Sequence, residues 1–169
     1  ATCLVDLFDP VAGLDAIALL EREGIRVHFV EKQTCCGQPA YTSGHEEEAR
    51  KVAQSQMALF PEPWPVVVLS GSCGGMMHHH YARLFPESRE VAAFCERVFE
   101  LTEFLAQVCR VRWHGVGRAS IVMHTSCSAR REMQVHSRAR ALLGQLDGVT
   151  LHEQAYESEC CGFGGTFSV

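Results

Sequence analysis

Two adjacent cysteines followed by glycine occur twice in this chain, as Cys35-Cys36-Gly37 and as Cys160-Cys161-Gly162. The upstream spacing repeats with them: 32 residues separate Cys3 from Cys35, and 33 separate Cys127 from Cys160. A cysteine pattern that returns at the same interval marks an internal repeat. The 169 residues are then read as two half-size units sharing an interface, the first at 1–110 with its crossover helices and the second at 111–169.

Periodicity assigns the elements. Asp9-Pro10 supplies an N-cap and a proline at the first helical position, and Val11, Leu14, Ile17, Ala18 and Leu20 form a helical stripe that stops at Gly24. Residues 25–30 are short and rich in β-branched side chains, which predicts a strand running into the first Cys-Cys-Gly. Ser43-Gly44-His45-Glu46 has the spacing of a capping box, opening a helix that reaches about residue 60 before Pro61, Pro63 and Pro65 break it. Residues 66–69 read as a buried strand ending in Ser70-Gly71-Ser72-Cys73. Helices follow over 76–85 and 91–108, the latter with Phe94, Val98, Leu101, Leu105 and Val108 on one side. A strand at 120–124 runs into His124-Thr125-Ser126-Cys127, then a helix at 130–146 and a strand at 149–153 lead to the second Cys-Cys-Gly. Strands alternating with helices predict an α/β fold of two pseudo-symmetric Rossmann-like units with parallel sheets. In such sheets ligands collect beyond the carboxyl ends of the strands, where these cysteines fall.

The repeat also sets an expectation about length. A whole strand precedes Cys127 but only two residues precede Cys3, and 37 residues separate Cys36 from Cys73. The counterpart of Cys73 in the second unit would fall at roughly position 197, so the second unit is expected to be truncated at its C-terminus.

Nine cysteines are too few for a disulfide mini-scaffold and too many for a protein with no use for thiols. Adjacent cysteines seldom bridge each other, because the ring strains the peptide. They do serve as ligands, since glycine lets the backbone take positive φ and turns both sulfurs toward one centre. Cys3, Cys35, Cys36 and Cys73 offer four thiolates, the number that suits a structural zinc or an iron–sulfur cluster. The second unit offers Cys127, Cys160 and Cys161, with His124 as a nitrogen ligand. No C-x-x-C pair occurs, which separates the pattern from zinc ribbons and fingers. Cys95 and Cys109 fall outside the repeat and read as small buried residues, and His78-His79-His80 as a solvated surface run. Trp64 and Trp113 read as core or interface residues. A formal net charge of −5 argues against nucleic acid as a partner, and no apolar run approaches the roughly 20 residues of a membrane span.

Gln33-Thr34-Cys35-Cys36-Gly37-Gln38-Pro39, Ser70-Gly71-Ser72-Cys73 and Cys160-Cys161-Gly162-Phe163-Gly164-Gly165, together with Cys3-Leu4-Val5-Asp6, resemble the cysteine-rich (CCG) domain family. That family takes in one component of heterodisulfide reductase and the iron–sulfur component of glycolate oxidase, and the likeness is greatest to its lactate-utilization protein A branch. The resemblance implies an iron–sulfur-type electron-transfer subunit, with a [4Fe-4S] cluster or zinc, in a cytoplasmic complex that oxidises L-lactate or glycolate. It also implies a ferredoxin-like iron–sulfur subunit and a third subunit as partners. A structural zinc scaffold and a thiol–disulfide subunit of the heterodisulfide reductase type are the alternatives. The family pattern closes each unit with C-x-x-C, whereas here Met76 stands three places after Cys73, which opposes a reductase-type double cluster in the first unit.

Overall fold

The computed structural model describes residue 5, residues 8–160 and residue 162. Helix α1 (Pro10–Arg22) starts as its cap predicts, with the Asp9 carboxylate accepting from the Ala12 N–H at 3.5 Å. Short α2 (Gln38–Thr42) follows the first Cys-Cys-Gly, and α3 (Glu46–Met57) comes next. The capping box is not made. Ser43 instead closes α2, His45 holds the N-cap position of α3 without a side-chain bond, and Glu46, Glu47 and Glu48 complement the positive end of the helix.

Strand β1 (Val66–Val68) pairs in parallel with β2 (Val98–Glu100), Val66 opposite Val98 and Val68 opposite Glu100. Between them runs α4 (Gly71–Gly75), a π-helical turn over Met76–His80, α5 (Tyr81–Leu84) and α6 (Arg89–Glu96). A second parallel pair follows. Strand β3 (Gly115–Val122) pairs in parallel with β4 (Leu146–His152), and α8 (Cys127–Arg131) and α9 (Val135–Leu143) form the crossover. The chain is therefore α/β, with one parallel two-stranded sheet in each half. Among the described residues neither sheet grows to the size of a Rossmann-like unit, so that part of the expectation stands without support.

Three further expectations are corrected. Residues 25–30 form no strand among the described residues; Ile25 and Val27 pack against the apolar cluster of Leu20, Phe104, Leu105, Val111 and Leu142. Their β-branched bias reflects that packing, not a ladder. The helix expected over 91–108 is cut by β2, since Val98-Phe99-Glu100 satisfies its backbone against β1. Helix then restarts as α7 (Leu101–Glu103), where the Glu100 carboxylate accepts from the Thr102 N–H at 2.8 Å, and continues as a second π-helical turn over Phe104–Cys109. The helix expected over 130–146 is two helices, separated at Gln134, whose φ is 49°.

Two clusters hold the molecule. One packs Cys36, Ala49, Ala53, Met76, Met77, Tyr81 and Phe94 around the first sheet. The other joins α1 and the second π turn to Leu142 of α9 and so spans both halves. Among the described residues no helix is long and apolar enough to cross a membrane.

Candidate cysteine centres

The two Cys-Cys-Gly turns share one local geometry. Gly37 has φ 86° and Gly162 φ 75°, the left-handed region that favours glycine. In each turn the glycine N–H points back at the first cysteine, Gly37 to Cys35 Sγ and Gly162 to Cys160 Sγ, both at 3.4 Å. The sequence repeat is thus a repeat of conformation. A donor aimed at sulfur favours the thiolate, which is the form that ligates metal.

The first turn is pinned from three sides. The Tyr81 hydroxyl, wholly buried, donates to the Cys36 carbonyl at 2.8 Å. Gln56, also buried, accepts from the Thr34 N–H at 3.0 Å, fixing the approach to Cys35. A side chain on Gly37 would press at 3.4 Å on the Ala49 carbonyl and on Val52, so α3 lies directly against the turn. Strand β1 delivers the third thiol: after Val68 the chain turns into α4, and the Ser70 hydroxyl accepts from the Cys73 N–H at 3.5 Å.

These elements bring Cys35, Cys36 and Cys73 together. The Cys36 thiol is hydrogen-bonded to the sulfurs of both Cys35 and Cys73. The hydrogen bond from Cys36 lowers Cys35 to about 6 against the opposing effect of partial burial, with the Gly37 N–H assisting. Cys36 goes the other way: its bonds to Cys35 and Cys73, then its burial, keep it protonated. In the second half the Gly162 N–H, then a hydrogen bond to Cys127, lower the exposed Cys160, and Arg131 adds a favourable charge. Cys127 begins α8, whose cap is Ser126 accepting from the Ala129 N–H at 3.4 Å. The approach to Cys160 is held by Glu157, which pairs with Arg130 at 2.9 Å and Arg140 at 2.8 Å. Burial alone would raise the Glu157 carboxyl, but the two arginines outweigh it and hold it below the usual carboxylate range.

The two cysteine-bearing helices, α4 and α8, meet at their starts. Ser72 Oγ and Ser126 Oγ lie 2.9 Å apart, Gln38 Nε2 donates to Ser128 Oγ at 3.5 Å, and a methyl group at Gly71 would overlap Ala129 and come within 2.7 Å of its Cα. Of the sequence-predicted ligands, Cys35, Cys36 and Cys73 form one group and Cys127 and Cys160 another. His124 is exposed between β3 and α8. Cys3 and Cys161 lie outside the described residues, and among those described no set of three or more His, Cys, Asp or Glu side chains is arranged to hold a metal ion.

The histidine run is not the solvated surface expected. His78 Nδ1 bonds the Val98 carbonyl at 2.9 Å, His79 Nε2 the Glu132 carbonyl at 3.3 Å, and His80 Nε2 the Glu132 carboxylate at 2.8 Å. All three tie the first π-helical turn to β2 and to the end of α8. Cys95 is buried as expected and Cys109 half-buried, and burial raises both thiols. Trp64 is half exposed, so it is no core residue, and the Trp113 backbone N–H donates to Gln145 Oε1 at 2.9 Å. Sequence reading missed Gln56, Tyr81 and Glu157 as the residues that position the turns. Only Gln56 left a signal, a polar side chain on the buried face that Ala49 and Ala53 define.

The cysteine-rich domain (CCG) family matches residues 1–78 and 121–169. Lactate utilization protein A 2 of Bacillus cereus is 37% identical over 173 residues, covering 99% of this chain and 72% of its own length. Lactate utilization protein A of Bacillus cytotoxicus is 39% identical and Lactate utilization protein A 1 of Bacillus anthracis 36%, with the same coverage. No solved structure matches the chain.

Proposed function

The chain belongs to the cysteine-rich domain (CCG) family, and from that premise we propose that it is the iron–sulfur, electron-carrying subunit of a system that oxidises a 2-hydroxyacid, L-lactate or glycolate. The carrying observation is the pair of Cys-Cys-Gly turns with matched geometry, each in contact with a cysteine of a helix that follows a parallel strand. In this reading the units are 1–110 and 111–169. The first cluster is held by Cys3, Cys35, Cys36 and Cys73, and the second site by Cys127, Cys160 and Cys161 with His124. The donor set fits: soft thiolates are what iron–sulfur clusters take, and three of the four first-unit sulfurs already share hydrogen bonds or a close charge interaction. A [4Fe-4S] cluster supplies a one-electron carrier.

The residues of this chain do the rest. Tyr81 and Gln56 fix the Cys-Cys-Gly backbone so that both sulfurs keep one direction. The Gly37 N–H favours the charged Cys35 sulfur, and the apolar cluster around Cys36 keeps water from that side. The partners are a ferredoxin-like iron–sulfur subunit and a third subunit, in the cytoplasm, in keeping with relatives named for lactate utilization.

A second reading, a structural zinc site, draws on the burial of Cys36 inside the main apolar cluster, where a closed four-thiolate centre would contribute folding energy. Anaerobic reconstitution with iron and sulfide separates the two. The electron-transfer reading expects bound iron and sulfide and a paramagnetic signal on one-electron reduction, lost in Cys73→Ser. Zinc at one equivalent with no redox signal selects the scaffold, and absence of iron, sulfide and signal sinks the first reading.

A further inference from the structure

A hollow of about 620 Å³ is lined by the end of the second π turn, the segment leading into β3, and α9 with the residues just after it. Its floor is apolar, with the buried Val111 and Leu142. Its walls are cationic. Arg110, Arg112 and Arg138 line it together with Gln107, and no carboxylate is among the lining residues. On a chain whose net charge is −5 this is a local reversal of sign.

The three arginines differ in what they are already bound to. Arg138 is committed: it pairs with Glu103 at 3.0 Å and donates to the Met133 carbonyl. Arg110 and Arg112 have no ion pair among the described residues and are exposed. They flank the buried Val111, and both residues line the hollow. Arg110 itself sits at φ 54°, a left-handed conformation that non-glycine residues seldom adopt. The Val111 N–H bonds back to the Leu105 carbonyl at 3.1 Å and stabilises that turn.

We propose that this hollow is a binding site for a small polyanion, one bearing at least two oxyanion groups, phosphate or carboxylate, a short span apart. Two uncommitted guanidiniums can each take a carboxylate or phosphate through paired N–H donors, and a concave cationic wall concentrates anions from solution. The apolar floor accepts the span between them, the usual division of labour in small-molecule sites. The proposal is independent of what the cysteines hold.

The test is calorimetric titration of the full chain at low ionic strength with pyrophosphate in one arm and citrate in the other. Saturable one-to-one binding of either is expected, pyrophosphate alone pointing to phosphates and citrate alone to carboxylates. An Arg110→Asn, Arg112→Gln double variant should bind at least tenfold more weakly with an unchanged melting temperature, asparagine being chosen because it tolerates the left-handed backbone. Arg118→Gln, a charge removed from exposed β3 outside the hollow, should bind as the parent does. No saturable binding in either arm, or equal weakening in Arg118→Gln, overturns the proposal.

Discussion

At the scale of the residue, Cys35 and Cys36 are chemically unlike although they are neighbours in sequence. One carries the thiolate at neutral pH and the other the proton, because the bond between them is shared unequally and only Cys35 also receives the Gly37 N–H. Cys35 is exposed and lowered to about 6, so in metal-free protein its alkylation should rise through pH 6 and level off by pH 7. Cys36, Cys95 and Cys109, all raised, should stay unlabelled there. Mass-spectrometric mapping of iodoacetamide labelling between pH 5 and 8 checks the order, and uniform labelling of all thiols would contradict it. None of this asymmetry is legible in the letters Cys-Cys-Gly. The positive φ of the glycine was legible, because only a turn of that kind lets two adjacent side chains serve one centre.

At the scale of the element, the boundaries that sequence reading drew correctly are those set by local chemistry, such as the Asp9 cap and proline start of α1. Those it missed were decided by distant partners. Val98-Phe99-Glu100 has a helical stripe but becomes β2, since Val66–Val68 offers it a parallel edge. The 153–160 segment is likewise positioned by partners that no local pattern announces, Arg130 and Arg140 gripping Glu157. The pH dependence of that grip has a definite sign. A carboxyl lowered on folding stabilises above its ordinary value, here 4.5, and the contribution is lost as pH falls below it. Relative to its intrinsic rate, which itself slows toward acid, amide exchange at Glu159, whose N–H bonds the Tyr156 carbonyl, should therefore become faster as pH falls. Glu157→Gln should show that faster exchange already at pH 7, and identical protection in the two proteins would contradict the assignment.

At the scale of the whole molecule, the halves are joined where α4 meets α8, and the join depends on an absent side chain. Gly71 faces the backbone of Ala129, so Gly71→Ala must push the two helices apart and carry Cys73 away from its neighbours. Overpacking of this kind costs about 1–3 kcal/mol. Gly74→Ala is the control: its new methyl would meet Met133 no closer than 3.6 Å, and helix propensity favours alanine by about 0.8–1 kcal/mol. Urea denaturation should thus show the first variant destabilised and the second neutral or stabilised. The repeat itself was visible from cysteine spacing. The meeting of its two halves was not, because Gly71, Ser72, Ser126 and Ala129 carry no pattern that distinguishes a helix–helix contact from any small-residue loop.

The π-helical turn at Met76–His80 has a consequence for how chains of this kind can vary in length. A π turn holds one residue more than the α-helical path it replaces, and each helical residue turns the chain by about 100°. Deleting any one residue between Met76 and His80 would restore a regular helix yet swing Tyr81 off the Cys36 carbonyl and the three histidines off their partners. Related chains should therefore keep the count of residues in this segment, so that a gap opening there in an alignment signals a different cysteine centre.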